Sequence, residues 1–137
     1  MTYDTEIRNA AKTLKGSNFV FMHCISIYPT PIEEMNLSRM AWLRKFTSRV
    51  GFSDHSIDRE GSMVAIAMGA CYIEKHFTLD RSLPGPDQKI SSLPEDFTKL
   101  AEWRDLVHSA MGMPGRRMTD AEKGLRGIYI GKWGDNK

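Results

Sequence analysis

The sequence predicts an α/β fold built on a parallel sheet. Three observations carry that prediction. Helix-period and strand-length segments alternate in the order α-β-α-β-α-β-α, the pattern of βαβ units. Each strand-like run exits into a polar segment holding Pro or Asp, and in α/β folds that edge is where sites are built. The 137 residues hold no internal repeat or low-complexity tract and give room for one domain.

The elements follow in order. Asp4 to Leu14 has helical spacing, with Ile7, Ala10, Ala11 and Leu14 on one face, and Gly16-Ser17-Asn18 ends it. Phe19 to Ile27 is an apolar run of strand length. Tyr28-Pro29-Thr30-Pro31 is a loop, because each Pro restricts its own φ and its predecessor. Asn36 can cap a helix running to about Ser48, with Leu37, Met40, Ala41 and Leu43 on one side and Trp42 and Phe46 outside that stripe. Val50 to Ser53 is a short strand, and Asp58 or Arg59 opens a helix to Met68 that Gly69 closes. Cys71 to Thr78 is the third strand, and Asp80 to Ser91 is a long loop around Pro84-Gly85-Pro86. Ser92-Leu93-Pro94-Glu95 is a capping-box pattern with Pro in the first turn. It starts a helix that turns Phe97, Leu100, Trp103 and Val107 inward and ends near Gly112. Beyond Pro114 the chain is polar up to a short Ile128-Tyr129-Ile130 run.

Composition excludes several classes of function. A net charge of +2, with acids and bases interspersed, is too weak and too scattered for nucleic acid. No apolar run approaches the roughly 18 residues of a membrane span. The start, Met1-Thr2-Tyr3-Asp4-Thr5-Glu6, lacks the basic and apolar regions of a signal peptide. Cys24 and Cys71 both fall in strand-like runs and read as buried reduced thiols in a cytoplasmic protein rather than a disulfide. The nine methionines read as core filler.

Period-two alternation selects the candidate site. Gly51, Ser53 and His55 share one side of the second strand and its exit. Tyr72, Glu74, His76 and Thr78 share one side of the third. If both sets face the same way, the two histidines come from strands about 4.8 Å apart and can reach one cation. Two histidines leave other coordination positions for water and substrate, which suits a Lewis acid. A lone strand histidine is more often a satisfied core residue, but two at neighbouring strand ends, with Glu74 beside one, read equally well as a ligand pair. Asp54 and Glu74 could instead fix the imidazole tautomer. His23 is read as structural and His108 as a surface residue. Leu83-Pro84-Gly85-Pro86-Asp87 is stiff enough either to hold Asp87 over the strand ends or to be a plain turn. Tyr28-Pro29-Thr30-Pro31 is either a Pro-rich turn or a rigid shelf presenting Tyr28.

Four segments carry a family resemblance. They are His23-Cys24-Ile25-Ser26-Ile27-Tyr28-Pro29-Thr30-Pro31, Gly51-Phe52-Ser53-Asp54-His55, Ile73 to Arg81, and Pro84-Gly85-Pro86-Asp87. In that order they resemble the motifs of the N-acetylneuraminate (sialic acid) synthase family, over about Met1 to Gly112. The resemblance implies a partial (β/α)8 TIM barrel holding about the last three strands and their helices. Residues 1–113 would be the C-terminal half of the barrel, and 114–137 a linker or tail at the start of a missing C-terminal domain. Arg126-Gly127-Ile128-Tyr129 resembles the entry to the family's antifreeze-like domain.

It also implies an activity: condensation of phosphoenolpyruvate with an N-acetylated amino sugar, such as N-acetylmannosamine, to a nonulosonic acid. By matching position, His55 and His76 are the ligands of a divalent metal, Mn2+ or Mg2+. Glu74 sits beside the metal, Ser53 helps bind the phosphoenolpyruvate phosphate, Tyr28 and Asp87 contact the amino sugar, and Ser26 lies close to the site. The family's other phosphoenolpyruvate ligands, lysines among them, come from earlier strands that this chain lacks. A complete barrel takes roughly 250 residues. The expectation is therefore a fragment that works with a missing N-terminal half, or that self-associates through its open strand edge. The alternatives are a non-catalytic remnant or binding module of the same fold and, against the Tyr-Pro-Thr-Pro and Pro-Gly-Pro-Asp motifs, another metal-dependent barrel enzyme acting on sugar aldehydes.

Overall fold

The computed structural model describes residues 1–112 and 118–132. It is an α/β fold with a three-stranded parallel sheet and, among the described residues, five α-helices. The elements are α1 (Asp4–Thr13), β1 (Phe21–Cys24), α2 (Arg39–Leu43), β2 (Val50–Asp54), α3 (Glu60–Ala67), β3 (Ile73–Lys75), α4 (Pro94–Met111) and α5 (Asp120–Tyr129). Short 3-10 turns cover Ile32–Glu34 and Gln88–Ile90. The strands lie in the order β1-β2-β3, so each crossover helix returns the chain to a neighbouring parallel strand. Phe21 pairs with Val50, Cys24 with Ser53, Ser53 with Glu74 and Asp54 with Lys75.

Local chemistry explains where the helices stop and start. The Glu6 carboxylate accepts the Tyr3 N–H at 2.7 Å and caps α1. At the end of α3, Gly69 takes φ +84°, its N–H donates to Ile66 O, and the Ala70 N–H donates to Ala65 O at 2.8 Å. That is a Schellman closure, and its left-handed residue favours glycine. In α4 the N-cap is Leu93, whose N–H is held by Asp96 Oδ2 at 3.0 Å. The expected Ser92–Glu95 box does not form, and only a returning carboxylate bond is made, one residue later. Pro94 stands at the first helical position, where its missing N–H costs nothing.

The core lies on one face of the sheet only. Met35, Met40, Leu43, Val50, Phe52 and Ala65 form it, with Ile7, Trp42 and Ile73 packed around the edge. Removing such side chains from water is the main stabilising term for a chain this size. The opposite face carries Met22, 36% exposed, and Tyr72, 48% exposed. Gly51 lies there too, and a Cβ on it would stand 2.8 Å from the Tyr72 carbonyl oxygen, so the neighbouring strand approaches where only glycine fits.

Several sequence expectations are corrected. The first strand stops at Cys24 rather than Ile27, because Thr30 Oγ1 donates to Ile27 O (2.7 Å) and Ile25 O (3.3 Å). Side chains take the carbonyls that a ladder would use. The third strand covers three residues, because after it the chain pairs with the returning segment: Ser92 N–H donates to His76 O and Thr78 N–H to Ser92 O. Asn36 does not cap a long helix. It sits at φ +45°, a conformation that Asn tolerates, and the helix that follows has five residues. Ala41, expected inward on that helix, is exposed. Cys71 is exposed and Cys24 partly so, and neither is in a disulfide. Residues 120–129 are helical, started by Thr119 and Glu122 in a reciprocal capping box. The rest of the expected tail, residues 113–117 and 133–137, lies outside the described residues. Among the described residues, no helix is long and apolar enough to cross a membrane.

Candidate active site at the strand ends

β2 and β3 run side by side and deliver His55 and His76 at their C-terminal ends. Alternation sends Cys24, Ser53, Glu74 and the two histidines to the open face. It sends His23, Phe52, Asp54 and Lys75 to the helix-covered face. The imidazole centres of His55 and His76 are 5.4 Å apart, with the rings edge to face. The Tyr28 ring completes the cluster, 4.3 Å from His55 and 5.9 Å from His76. The loop that presents it contains a cis Tyr28–Pro29 bond.

The hydrogen bonds of His55 fix its tautomer. Its Nδ1 lies 2.9 Å from the Ile25 carbonyl oxygen, which can only accept. Nδ1 therefore carries the hydrogen, and Nε2 keeps a free lone pair. This is how metal-ligating histidines are commonly oriented. Asp87 Oδ2 lies 3.5 Å from His76 Nδ1, a separation at which charge orients the ring without a close hydrogen bond. Ser53 Oγ donates to Glu74 Oε1 at 2.7 Å on the same face. Ser26 Oγ lies 3.8 Å from Cys24 Sγ, which in turn is 3.9 Å from His55 Nδ1. The structure thus gathers His55, His76, Tyr28 and Asp87 into one cluster, sets Ser53–Glu74 beside it, and leaves Ser26 at its margin.

The ring separation of the histidine pair is within the span of a shared cation. An ion about 2 Å from a ring nitrogen lies about 3.3 Å from the ring centre, so two ligating imidazoles have centres roughly 4.5 to 5.5 Å apart. The observed 5.4 Å falls at the upper end of that range. Among the described residues, no set of three or more His, Cys, Asp or Glu side chains converges as a closed metal site. A cation on this pair would have open positions. A groove of about 1030 Å³ between α1 and the free edge of β1 reaches Cys24 to Ile27 but includes neither histidine.

Two expectations change. Asp54 does not orient an imidazole, since it faces away from both histidines, and Glu74 holds Ser53 instead. The tautomer is set by a backbone carbonyl. His23 is structural: it is buried, bonds Met35 O through Nε2 at 2.7 Å and stacks on Phe52. Burial lowers its pKa, partly opposed by the Met35 hydrogen bond. His108 is exposed on α4, as expected.

Behind the site lies a polar cluster that the sequence reasoning missed. Lys75 Nζ is 2.9 Å from Asp54 Oδ2, with side chains 1% and 0% exposed. Burial pushes the Asp54 carboxyl up. Hydrogen bonds from Ser62, the Lys75 ammonium and Ser56 outweigh that and hold it below the usual carboxylate value. The signal was available: Asp54 and Lys75 each immediately precede a candidate histidine, so alternation puts both on the opposite face of adjacent strands.

A model of the NeuB family matches residues 1–115. The chain belongs to the NeuB family. This NeuB-family chain is 39% identical over 110 residues to the N,N'-diacetyllegionaminic acid synthase of Campylobacter jejuni, covering 80% of this chain and 33% of that protein. It is 33% identical over 107 residues to the human N-acetylneuraminate-9-phosphate synthase, covering 77% of this chain and 30% of that protein. The solved N-acetylneuraminic acid synthetase of Leptospira borgpetersenii, in complex with citrate, superposes with a TM-score of 0.84 at 32% identity. That match covers 93% of this chain and 46% of the other. The chain spans about a third of the length of the curated relatives it matches.

Proposed function

We propose that the three strands are the last part of a (β/α)8 barrel, and that their ends supply the metal-holding side of a nonulosonic acid synthase site. Residues 1–113 are the barrel portion in this proposal, and 114–137 lead toward a further domain. The reaction is condensation of phosphoenolpyruvate with an N-acetylated amino sugar to a nonulosonic acid: the enol carbon bonds to the aldehyde carbon, water adds to the resulting cationic carbon, and inorganic phosphate leaves. One observation carries the proposal: His55, His76 and Tyr28 converge at the C-terminal ends of adjacent parallel strands, with His55 Nε2 left free. The C-terminal edge is where barrel enzymes place their chemistry.

A divalent cation held by His55 and His76, Mn2+ or Mg2+, would polarise the aldehyde of the open-chain sugar toward attack by the enol carbon. The chain's own residues orient the rest. Tyr28 and Asp87 flank the histidines and are about half exposed, so they can contact the sugar. Ser53 offers a hydroxyl toward the phosphate of phosphoenolpyruvate. Glu74, hydrogen-bonded to Ser53, is placed to hold or pass a proton beside the cation. Ser26 lines the margin. The anionic groups of phosphoenolpyruvate need further cationic partners, and in this proposal a second half of the barrel provides them.

Reconstitution tests this reading. The 137-residue chain alone is expected to give no nonulosonic acid from phosphoenolpyruvate and N-acetylmannosamine. Adding the separately produced N-terminal barrel half of a NeuB-family relative is expected to restore measurable turnover that requires His55. Turnover by the chain alone, or reconstituted turnover that His55→Ala leaves unchanged, contradicts the proposal.

A further inference from the structure

Two residues on the helix-covered face sit directly behind the two histidines. Asp54 and Lys75 are partners in the β2–β3 register, and His55 and His76 follow each of them by one residue. Because side chains alternate, the ion pair lies on the helix-covered face and the imidazoles on the open one. Every polar position of the pair is occupied. Asp54 Oδ1 accepts from the Ser56 N–H (2.9 Å) and Ser56 Oγ (2.7 Å). Asp54 Oδ2 accepts from Ser62 Oγ (2.5 Å) and from Lys75 Nζ (2.9 Å). Lys75 Nζ also donates to the carbonyls of Ser56 and Asp58, both at 3.0 Å.

The network ties together four pieces of chain: the end of β2, the end of β3, the segment 56–58 and, through Ser62, the first turn of α3. His55 is flanked on both sides by members of it. The last ladder pairing between the strands is the one that Asp54 and Lys75 make. Beyond that pairing the strand ends have no shared backbone ladder, and the ion pair is the connection nearest the histidines. A surface pair could not do this, since exposed ion pairs are loose and screened. A buried pair with all its hydrogen bonds made has one geometry, and specifying a register is the best-attested use of such pairs.

We propose that the buried Asp54–Lys75 pair is the positioning device that sets the separation of His55 and His76, and so the affinity of their shared cation. The cation part rests on the function proposed above, while the positioning part does not. Asp54 and Lys75 are positioning residues that act through the backbone of the histidine beside each.

The test uses the full 137-residue chain, Mn2+ as the probe, and two readouts. One is the Mn2+ dissociation constant from calorimetry. The other is the nuclear Overhauser contact between the His55 and His76 ring protons, which needs no metal. Asp54→Asn with Lys75→Met removes both charges at nearly constant volume. This double variant is expected to weaken Mn2+ binding by about 10- to 100-fold, the range found when groups behind a metal ligand are changed. It is also expected to lose or greatly weaken the ring–ring contact. Ser62→Ala, which trims one hydrogen bond and keeps both charges, gives a smaller shift in the same direction and serves if the double variant does not fold. Ala65→Gly lowers stability in the core of α3 without touching the network, and it should leave both readouts in place.

A folded double variant with unchanged Mn2+ affinity and an intact ring–ring contact overturns the inference, as does an Ala65→Gly variant that shifts both readouts as much. If the wild-type chain binds no Mn2+, or His55→Ala and His76→Ala bind as it does, the metal reading fails on its own. The ring–ring contact then decides the positioning claim: its loss in the double variant supports that claim and its retention overturns it.

Discussion

Replacing either His55 or His76 with alanine is expected to weaken Mn2+ binding by at least about 100-fold, because a protein site built on two ligands keeps only one. Among the described residues no group of three or more His, Cys, Asp or Glu forms a metal-holding set, so binding would rest on the two histidines. Ring centres 5.4 Å apart permit joint ligation, and each histidine alone is a weak monodentate donor. The loss should therefore be nearly equal at the two positions. His23→Gln is the control: its ring is bonded to Met35 O in the core and faces away from the cluster, so Mn2+ affinity should persist in folded protein. Calorimetric titration of the three variants checks this. A loss confined to His23→Gln would move the site elsewhere.

Lys75→Met alone is expected to destabilise the fold by about 3–5 kcal/mol. It leaves the Asp54 carboxylate with its side chain 0% exposed and without its counter-charge. Breaking one partner of such a pair costs far more than the pair itself contributes. Removing both charges together should recover much of the loss, because the uncompensated buried charge is then gone. Urea denaturation of the single and double variants measures the two quantities. A double variant less stable than Lys75→Met would show that the pair is a net stabiliser rather than a device for specificity.

Much of the fold was legible in the sequence because it depends on short-range patterns. The α-β-α-β-α-β-α order followed from periodicity and from Gly and Pro punctuation. The shared face of Ser53, His55, Glu74 and His76 followed from strict alternation. What was not legible depends on contacts between distant residues. Strand length failed because the Ile25 and Ile27 carbonyls are taken by His55 and Thr30 side chains, and because Ser92 replaces β2 as the partner of the chain after His76. The left-handed Asn36 looks the same in sequence as a helix-capping Asn. α5 is a different case. Its Thr119–Glu122 capping box and the spacing of Ala121, Leu125, Ile128 and Tyr129 were visible, and the local polarity of the segment outweighed them. The opposite-face placement of Asp54 and Lys75 is also readable from alternation, while their pairing depends on the strand register.

In the proposed site His55 and His76 would hold one divalent cation together. Electron spin-echo modulation of Mn2+ bound to chain labelled with 15N only at histidine counts the ring nitrogens directly bonded to the ion. Couplings from two histidine nitrogens, unchanged in His23→Gln and His108→Gln, are the predicted result. Couplings from one nitrogen or none, or a signal that disappears with His23 while both strand-end histidines are intact, would contradict it.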